Sequence, residues 1–213
     1  MSSAGQGCGR RGWARKRSRT LVVLATLALG AAAGAGLWWQ AGQLPRRFAA
    51  VDAGRLYRGG EVTPRHLERL QRDFGIARVI SLLDPDTPGS RAEQAAARRL
   101  GIEWHNVPLS GDGASTPADR EQIRALLTQP GAPPTLVHCA AGVNRTGLAV
   151  GMYRLHCQGW TLAQVMTELR ATDFEDEPKH QNLRDALAAE AELAAKSAGA
   201  ATHQESAYQG REP

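Results

Sequence analysis

The residues with the clearest chemical potential in this sequence are a cysteine and an arginine six positions apart, Cys139 and Arg145. A short apolar run precedes the cysteine at residues 135–137, and an apolar stretch follows the arginine at 148–153, which predicts strand, tight loop and helix. A cysteine at this junction lies where unpaired backbone N–H groups and the positive end of a helix dipole converge. The arginine adds a bidentate donor for phosphate oxygens. Together they predict a site that binds a tetrahedral anion and attacks it.

Strands and helices alternate along the rest of the chain. β-branched or alternating runs predict strands at 55–58 (a short edge strand), 76–83, 102–107 and directly before Cys139. Capping residues, prolines and glycines predict helices that begin near residues 63, 90, 116, 145, 162 and 178. The Ser90–Glu93 spacing is typical of a capping box, and the final helix is predicted to end near Lys196. This alternation predicts an α/β fold with a mainly parallel central sheet and helices on both faces.

Composition limits the classes of function. A chain of 213 residues can bury one core of ordinary size. Residues 1–20 contain six of the 26 basic residues and no acidic ones, which leaves 20 basic against 21 acidic residues in the remainder. The folded part therefore gives no reason to expect nucleic-acid binding. Three cysteines do not make a disulfide framework, and no Cys or His pair has metal-ligand spacing, so we expect neither a metal nor a cofactor.

The segment 21–39 contains no charged residue and is long enough to span a bilayer, with Trp38 and Trp39 at an interfacial position. It predicts one transmembrane helix, although a cleaved signal peptide is the alternative. The basic tail 1–20 places the N-terminus in the cytoplasm, with the catalytic domain on the far side, as in a single-pass protein of a bacterial inner membrane. We expect a linker at 40–50, a catalytic domain at 51–196 and a disordered tail at 197–213. The oligomeric state is open.

The loop around the cysteine resembles the signature loop of the protein tyrosine phosphatase superfamily, in particular its dual-specificity branch. The matched positions are His138, Cys139, Gly142, Arg145, Thr146 and Gly147. The upstream sequence Leu-Tyr-Arg-Gly-Gly at 56–60 is similar to the opening strand of bacterial and fungal dual-specificity-like phosphatases. The resemblance covers roughly residues 51–187 and implies the phosphatase fold and a cysteine-dependent phosphatase.

The resemblance and the chemistry of the side chains assign the same roles. Cys139 is expected to attack phosphorus as a thiolate, and Arg145 to clamp two phosphate oxygens in the transition state. Thr146 is expected to stabilise the thiolate as it leaves the phosphoenzyme. Gly142 and Gly147 are expected to let the backbone approach the anion, and His138 to order the loop by hydrogen bonds. The residues that would surround the bound phosphate are Ala140, Ala141, Gly142, Val143, Asn144 and Arg145.

The reaction also needs an acid that protonates the leaving alcohol, which the resemblance implies is an aspartate on another loop. Asp112 lies on a polar loop just after a predicted strand, where a mobile acid would be placed, and is our first candidate. Asp119 is the third residue after Thr116 and fits a helix capping box, which is a structural role. Asp84 and Asp86 are further candidates.

The loop residues between the cysteine and the arginine are all uncharged. A highly phosphorylated inositol headgroup would gain little from such a rim, so a single phosphate on protein tyrosine, serine or threonine fits better. The alternatives are an inositol phosphate or phosphoinositide phosphatase, a pseudophosphatase that binds phosphorylated partners, and a sulfur-transfer or arsenate-reducing enzyme. The expected partners are a phosphorylated protein and, through residues 21–39, the membrane.

Overall fold

The computed structural model describes residues 26–27, 29–30 and 44–209. No helix within these ranges is long and apolar enough to cross a membrane. The predicted basic tail 1–20 and nearly all of the predicted anchor 21–39 lie outside the described residues, so both stay predictions.

A five-stranded sheet organises the described chain, with the strand order β1-β2-β5-β3-β4. The strands are β1 (Ala49–Asp52), β2 (Leu56–Gly59), β3 (Arg78–Ser81), β4 (Glu103–Asn106) and β5 (Thr135–His138). β5 pairs in parallel with β2 and β3, β3 pairs in parallel with β4, and β1 pairs with β2 in the antiparallel sense. The sheet is therefore mixed, as a mainly parallel sheet with one antiparallel edge strand. The prediction that residues 55–58 form an edge strand was wrong, because β1 covers that edge.

Helices lie on both faces of the sheet, as the sequence predicted. They are α1 (Pro64–Phe74), α2 (Pro88–Leu100), α3 (Pro117–Thr128), α4 (Asn144–Gln158), α5 (Leu162–Ala171) and α6 (Gln181–Gln209), with a short 3₁₀ helix at Pro178–His180. Alternation along β5 separates two apolar cores: Leu136 packs with α1 and α2, and Val137 packs with α3 to α6. Each fully buried aliphatic side chain contributes about 1.5–3 kcal/mol to folding.

Most helix starts follow from local sequence. The Thr63, Thr116 and Thr161 side chains each accept a backbone N–H in the first turn, a contact that typically contributes about 1 kcal/mol. The exception is α2, which begins after Thr87 rather than at Ser90, and Ser90 is buried. The predicted N-cap was therefore misplaced by three residues.

Two predicted boundaries also differ from the structure. The sheet already begins at Ala49, and the Phe48 ring stacks on the Tyr57 ring with centroids 5.7 Å apart, so the predicted linker 40–50 includes residues of the folded unit. At the other end, α6 extends to Gln209, whereas we expected it to end near Lys196 and a disordered tail to follow. Alanine and glutamate are strong helix formers, which accounts for the longer helix.

Candidate active site

The signature loop connects the end of β5 to the start of α4. β5 has a parallel neighbour on each side. Because the loop follows the last residue of β5, it lies at the carboxyl edge of the sheet, where open α/β sheets place their sites. The loop is tied to the strand beside it because the Glu61 amide donates to the Ala140 carbonyl at 3.0 Å. The carboxyl ends of the parallel strands thus form the floor of the site.

The Cys139 side chain is buried within this loop and is 2% exposed. Its sulfur accepts a hydrogen bond from the Gly142 amide at 3.3 Å. Burial alone would raise the pKa of the thiol. Hydrogen bonds from the hydroxyl and amide of Thr146 and from the Gly142 amide, together with the positive charge of Arg145, outweigh burial and lower the pKa below its ordinary value. A cysteine in this setting is available as a thiolate nucleophile.

The Thr146 hydroxyl lies between two acceptors, the Cys139 sulfur and the Gly59 carbonyl oxygen. A hydroxyl has one proton, so it can donate to only one of them at a time. The contact to the carbonyl is long at 3.4 Å, and a charged acceptor makes the stronger bond. We therefore assign the proton to the sulfur when Cys139 is ionised, which agrees with the predicted stabilisation of the leaving thiolate.

The first turn of α4 has no N-cap side chain, and its Thr146 amide donates to the Cys139 sulfur. The residue before this helix is Val143, which makes no side-chain capping bond. Helices α1, α2, α3 and α5 instead begin with a threonine that occupies such an amide. Uncapped N–H groups at a helix N-terminus, reinforced by the helix dipole, make a ready site for a phosphate anion.

Arg145 extends from this first turn across the carboxyl edge of the sheet. Its Nη1 donates to the carbonyl oxygens of Leu82 and Leu109, both at 3.3 Å. These residues follow β3 and β4, so the guanidinium is fixed by two neighbouring loops. Because both bonds use Nη1, the side chain is held without engaging Nε and Nη2, which form the pair that binds two oxygens of one phosphate.

The two glycines of the signature serve different purposes. Gly142 has a φ of 74°, and a Cβ atom there would lie 2.8 Å from the Gly59 carbonyl group, so a side chain is excluded by both conformation and space. Gly147 lies within α4, where a Cβ atom would meet the Leu169 side chain at 2.4 Å. The prediction for Gly147 was thus wrong in its reason, because this glycine permits helix packing and does not turn the backbone.

His138 faces away from the loop, into the core beneath α2. Its Nε2 lies 2.9 Å from Glu93 Oε1, and the Trp104 indole donates to the same oxygen at 2.7 Å. Glu93 and His138 are 1% and 0% exposed. The prediction that His138 orders the loop through its own hydrogen bonds was therefore wrong: its side chain fixes β5 to α2, directly before the nucleophile. Sequence reasoning missed Glu93, which had been interpreted as a capping residue.

Replacing Glu93 by alanine should lower the free energy of unfolding by about 3 kcal/mol, because His138 and Trp104 would each lose a buried hydrogen-bond partner. Urea denaturation followed by tryptophan fluorescence measures the change. Arg98 lies exposed on the same helix, and Arg98→Ala should shift stability by less than about 0.5 kcal/mol. Equal stabilities for the two variants would contradict the role assigned to Glu93.

Asp112, the predicted acid, is exposed on the loop after β4. Its carboxylate accepts hydrogen bonds from the Ser110 hydroxyl, the Ala114 amide at 3.1 Å and the Asn182 side chain at 2.9 Å. These bonds, the one from Ser110 first, lower the pKa of Asp112 below its ordinary value. These contacts favour the carboxylate, so the fraction of the protein in which Asp112 can donate a proton rises as the pH falls.

The other aspartate candidates have local structural contacts. The Asp119 carboxylate accepts bonds from the amide and hydroxyl of Thr116, which completes the predicted capping box of α3. The exposed Asp84 carboxylate accepts the Asp86 amide at 2.9 Å, a turn interaction. Arg145 donates to the Leu109 carbonyl of the Asp112 loop and also to the Leu82 carbonyl of the loop that carries Asp84 and Asp86. The structure thus brings both loops to the site, and Asp112 stays our predicted acid.

Segment 178–182 adds contacts that the sequence did not indicate. Within it, the buried His180 has Nε2 3.1 Å from the Asn144 side-chain amide and Nδ1 2.7 Å from the Glu175 carbonyl oxygen. A carbonyl only accepts, so Nδ1 carries the proton and Nε2 accepts from Asn144 in the neutral ring. Asn182 in the same segment holds Asp112. One short stretch thus supports both the signature loop and the acid loop.

Arg47, near the start of the folded unit, places a positive charge at the rim of the loop. Arg47 Nη1 donates to the Ala141 carbonyl at 3.0 Å, and Arg47 Nε forms an ion pair with Asp173 at 2.8 Å. Both residues have a positive φ, of 53° and 65°. The expectation of a neutral rim, drawn from the loop residues alone, was incomplete, although Asp173 offsets the added charge.

Comparison with known proteins agrees with this geometry. A family model described as "Tyrosine phosphatase family" matches residues 44–192. The dual specificity protein phosphatase TpbA of Pseudomonas aeruginosa (strain UCBPP-PA14) is 29% identical over 133 residues, which are 62% of this chain and 56% of TpbA. The chain thus spans little more than half the length of this curated relative.

Solved structures share the fold. The core catalytic domain of the PP-IP phosphatase SIW14 from S. cerevisiae, in complex with citrate, has a TM-score of 0.56 at 23% identity, over 65% of this chain and 84% of that chain. A variant of P. aeruginosa TpbA in complex with pTyr has a TM-score of 0.51 at 24% identity, over 70% and 95% of the two chains. At such identities the likeness shows the fold alone. The family match covers well over half of the sequence, and the chain therefore belongs to the tyrosine phosphatase family of cysteine-dependent phosphatases.

Proposed function

We propose that this protein hydrolyses phosphate monoesters on protein tyrosine, and also on serine or threonine, through a phosphocysteine intermediate. The observation that carries the proposal is the Cys139 thiol, whose pKa is lowered inside a loop of amides next to Arg145. A pseudophosphatase would not need an ionised thiol, and sulfur transfer or arsenate reduction explains the Arg145-Thr146-Gly147 continuation less well.

The proposed reaction has two steps. The Cys139 thiolate forms a bond to phosphorus while the ester P–O bond breaks, and Asp112 gives its proton to the leaving alkoxide. Water then attacks the phosphocysteine, its proton passes to Asp112, and the thiolate leaves with the Thr146 hydroxyl donating to it. Arg145 and the uncapped amides of α4 hold the phosphate oxygens throughout. The products are the alcohol and inorganic phosphate.

The proposal for Asp112 predicts a shift in pH dependence. Because the acid must be protonated, kcat/KM should fall as pH rises above the pKa of Asp112. Ser110→Ala removes the hydrogen bond that contributes most to lowering this pKa, so it should raise the pKa and move the falling limb to higher pH. Asn182→Ala should also raise the pKa of Asp112, by a smaller amount. Phenyl phosphate suits the measurement because phenoxide is a poor leaving group that needs the proton.

Substituting Asp112 and Asp119 one at a time shows which of them is the catalytic acid and which only caps a helix. Asp112→Asn should lower kcat on phenyl phosphate by about 10²-fold and remove the falling limb. Asp119→Asn, which perturbs only the start of α3, should leave kcat within about twofold and cost some stability. The assignment fails if Asp119→Asn shows the larger loss of kcat at equal folding.

The choice of a protein substrate rests on the rim. The residues between Cys139 and Arg145 carry no charge, and Arg47 is paired with Asp173, so the rim offers little attraction for several phosphates at once. TpbA, a relative, is named a dual specificity protein phosphatase. Inositol phosphates are the second candidate, because Arg47 lies beside the loop and SIW14, which shares the fold, is a PP-IP phosphatase.

A substrate comparison with the full-length protein in detergent micelles tests this proposal. We expect release of phosphate from a phosphotyrosyl peptide, slower release from a phosphoseryl peptide, and little from inositol hexakisphosphate. Faster turnover of the inositol phosphate would favour the second candidate. If p-nitrophenyl phosphate and all these substrates remained intact with folded protein, the enzymatic proposal would be wrong.

We also propose that residues 21–39 anchor the protein in the membrane, with the catalytic domain on the side opposite the basic tail. The support is the uncharged stretch and the positive-inside rule. A fusion of alkaline phosphatase after Pro213 should be active only if that end is exported. An inactive fusion, with an active cytoplasmic reporter at the same position, would reverse the topology.

A further inference from the structure

A buried arginine lies beneath the signature loop and has no place in the mechanism described so far. Arg58 belongs to β2 and is 4% exposed. It is paired in register with Val137 of β5, two residues before the nucleophile. Leu56, two residues earlier on β2, belongs to the same apolar core as Val137 and Cys139. Strand alternation therefore directs Arg58 to the face on which α4 and the loop lie.

The contacts of Arg58 join it to the loop itself. Nη2 donates to the Gly142 carbonyl at 2.7 Å, and Nη1 donates to the Thr172 hydroxyl at 3.2 Å. Gly142 is also the residue whose amide donates to the Cys139 sulfur. Arg58 and the sulfur thus hold opposite sides of one glycine. A Gly142 carbonyl that rotated toward the thiolate would repel its charge, and Arg58 prevents that rotation.

The charge of Arg58 is not balanced by an ion pair among the described residues. Both of its bonding partners are neutral, and its Nε has no hydrogen-bond partner there. Glu168 is the carboxylate that acts on Arg58, but both of its oxygens are bonded to Arg154. An arginine stays protonated even where burial lowers its pKa, as it does here. A buried and unpaired cation is costly unless an anion offsets it.

The anions that can offset it are those of the reaction. The charged groups that act on Arg58 are Glu168 and the Cys139 thiolate, which favour its charge, and Arg47 and Arg154, which oppose it. Glu168 is already paired with Arg154. Because Glu168 is shared with Arg154, the thiolate and a bound phosphate, which carries a charge of about −1.5 to −2, supply the further negative charge that favours a buried Arg58.

We propose that Arg58 is a positioning residue for catalysis: it orients the signature loop through the Gly142 carbonyl and supplies a buried positive charge that stabilises the Cys139 thiolate and the phosphorylated cysteine. This inference rests on the proposed phosphatase function but concerns a residue outside the signature. Arg58 does not touch the reacting atoms, so its effect is exerted through Gly142 and through the electrostatic field.

The rate of alkylation of Cys139 tests whether the charge of Arg58 stabilises the thiolate, and it does not require turnover. In a background of Cys8→Ser and Cys157→Ser, iodoacetamide reacts with Cys139 alone, and its rate against pH reports the thiolate fraction. Arg58→Met should reduce the rate at pH 6 by about tenfold, which corresponds to loss of one nearby charge. Arg58→Lys keeps a cation, so its alkylation rate should stay closer to the wild-type rate. Its kcat should fall about tenfold, because a lysine lacks the planar guanidinium that donates to the Gly142 carbonyl.

Arg78 provides the matched control. It is equally buried at 4% exposure, but it lies at the opposite end of the sheet, on β3, and pairs with Glu103. Arg78→Met should lose stability while keeping the wild-type alkylation profile and kcat. A folded Arg58→Met with an unchanged profile, or Met and Lys variants that alkylate equally slowly, would overturn the proposal. If Arg58→Met does not fold, an unchanged kcat in Arg58→Lys would overturn it.

The design also separates this inference from the proposed function. If the wild-type protein hydrolyses no phosphate ester, the phosphatase proposal fails, whereas the alkylation profiles still show whether Arg58 stabilises the thiolate. If the wild type is active and the Arg58 variants match the Arg78 control in both readouts, only the role of Arg58 is lost.

Discussion

Replacing Cys139 by serine should abolish phosphate release, with a loss of at least about 10⁴-fold in kcat on p-nitrophenyl phosphate. A serine hydroxyl does not ionise near neutral pH, and the amides of Gly142 and Thr146 that lower the thiol pKa cannot lower a hydroxyl pKa far enough. The anion site itself stays intact, because the uncapped first turn of α4 and Arg145 are unchanged. A phosphotyrosyl peptide should therefore still bind, which isothermal titration calorimetry with the inactive variant measures.

Cys157 is the matched control for this substitution. It lies near the other end of α4, half-buried, and burial raises the pKa of its thiol. Cys157→Ser should keep wild-type turnover, and alkylation with iodoacetamide at pH 6 should label Cys139 and spare Cys157. Substantial turnover by a folded Cys139→Ser protein would rule out the phosphocysteine mechanism.

Arg145→Lys should lower kcat/KM by about 10²–10³-fold, although the charge is kept. The arginine binds the Leu82 and Leu109 carbonyls through Nη1 while its other nitrogens stay available for two phosphate oxygens. A lysine has one nitrogen, so it cannot hold both carbonyls and present a planar pair to phosphate. The loss should fall mainly on kcat, because charge on the phosphate oxygens is held most tightly in the transition state.

Arg124→Lys is the control, because it makes the same substitution at an arginine that lies outside the site. Arg124 pairs with Glu190 between α3 and α6, at 2.9 Å, and takes no part in the loop. Its variant should keep kcat/KM within about twofold and lose only stability. Comparable losses of kcat/KM in both variants at equal folding would contradict the specific role of Arg145. So would a loss of kcat/KM that comes only from a rise in KM.

The folded unit begins before residue 51, the boundary predicted from the sequence. The segment just after residue 43 contacts the signature loop through Arg47, which donates to the Ala141 carbonyl, and contacts the end of β2 through the Arg46 carbonyl, which accepts from the Gly60 amide at 2.7 Å. The boundary predicted at residue 51 would remove these contacts. A soluble protein intended for the assays above should therefore begin at or before Leu44.

Local features of the structure were readable from sequence because their energetics involve residues a few positions apart. Threonine before proline predicted the starts of α1 and α3, and glycine predicted the end of α1. The apolar run before Cys139 and the spacing to Arg145 predicted the strand, loop and helix of the site. Alternation of strands and helices predicted a parallel sheet with two covered faces.

What surrounds the loop was decided by tertiary structure. Glu93 lies 45 residues before its partner His138, and Arg58 lies 84 residues before Gly142. Nothing in the spacing of such residues indicates that they meet, because the strand order that brings them together depends on the packing of both cores at once. The sequence signals for Arg58 were its place in the predicted strand at 55–58 and in the Leu-Tyr-Arg-Gly-Gly run that resembles the family, and neither indicated which residue it contacts. The sequence by itself thus determined the nucleophile and its anion-binding loop, whereas long-range strand pairing decided which charges support them.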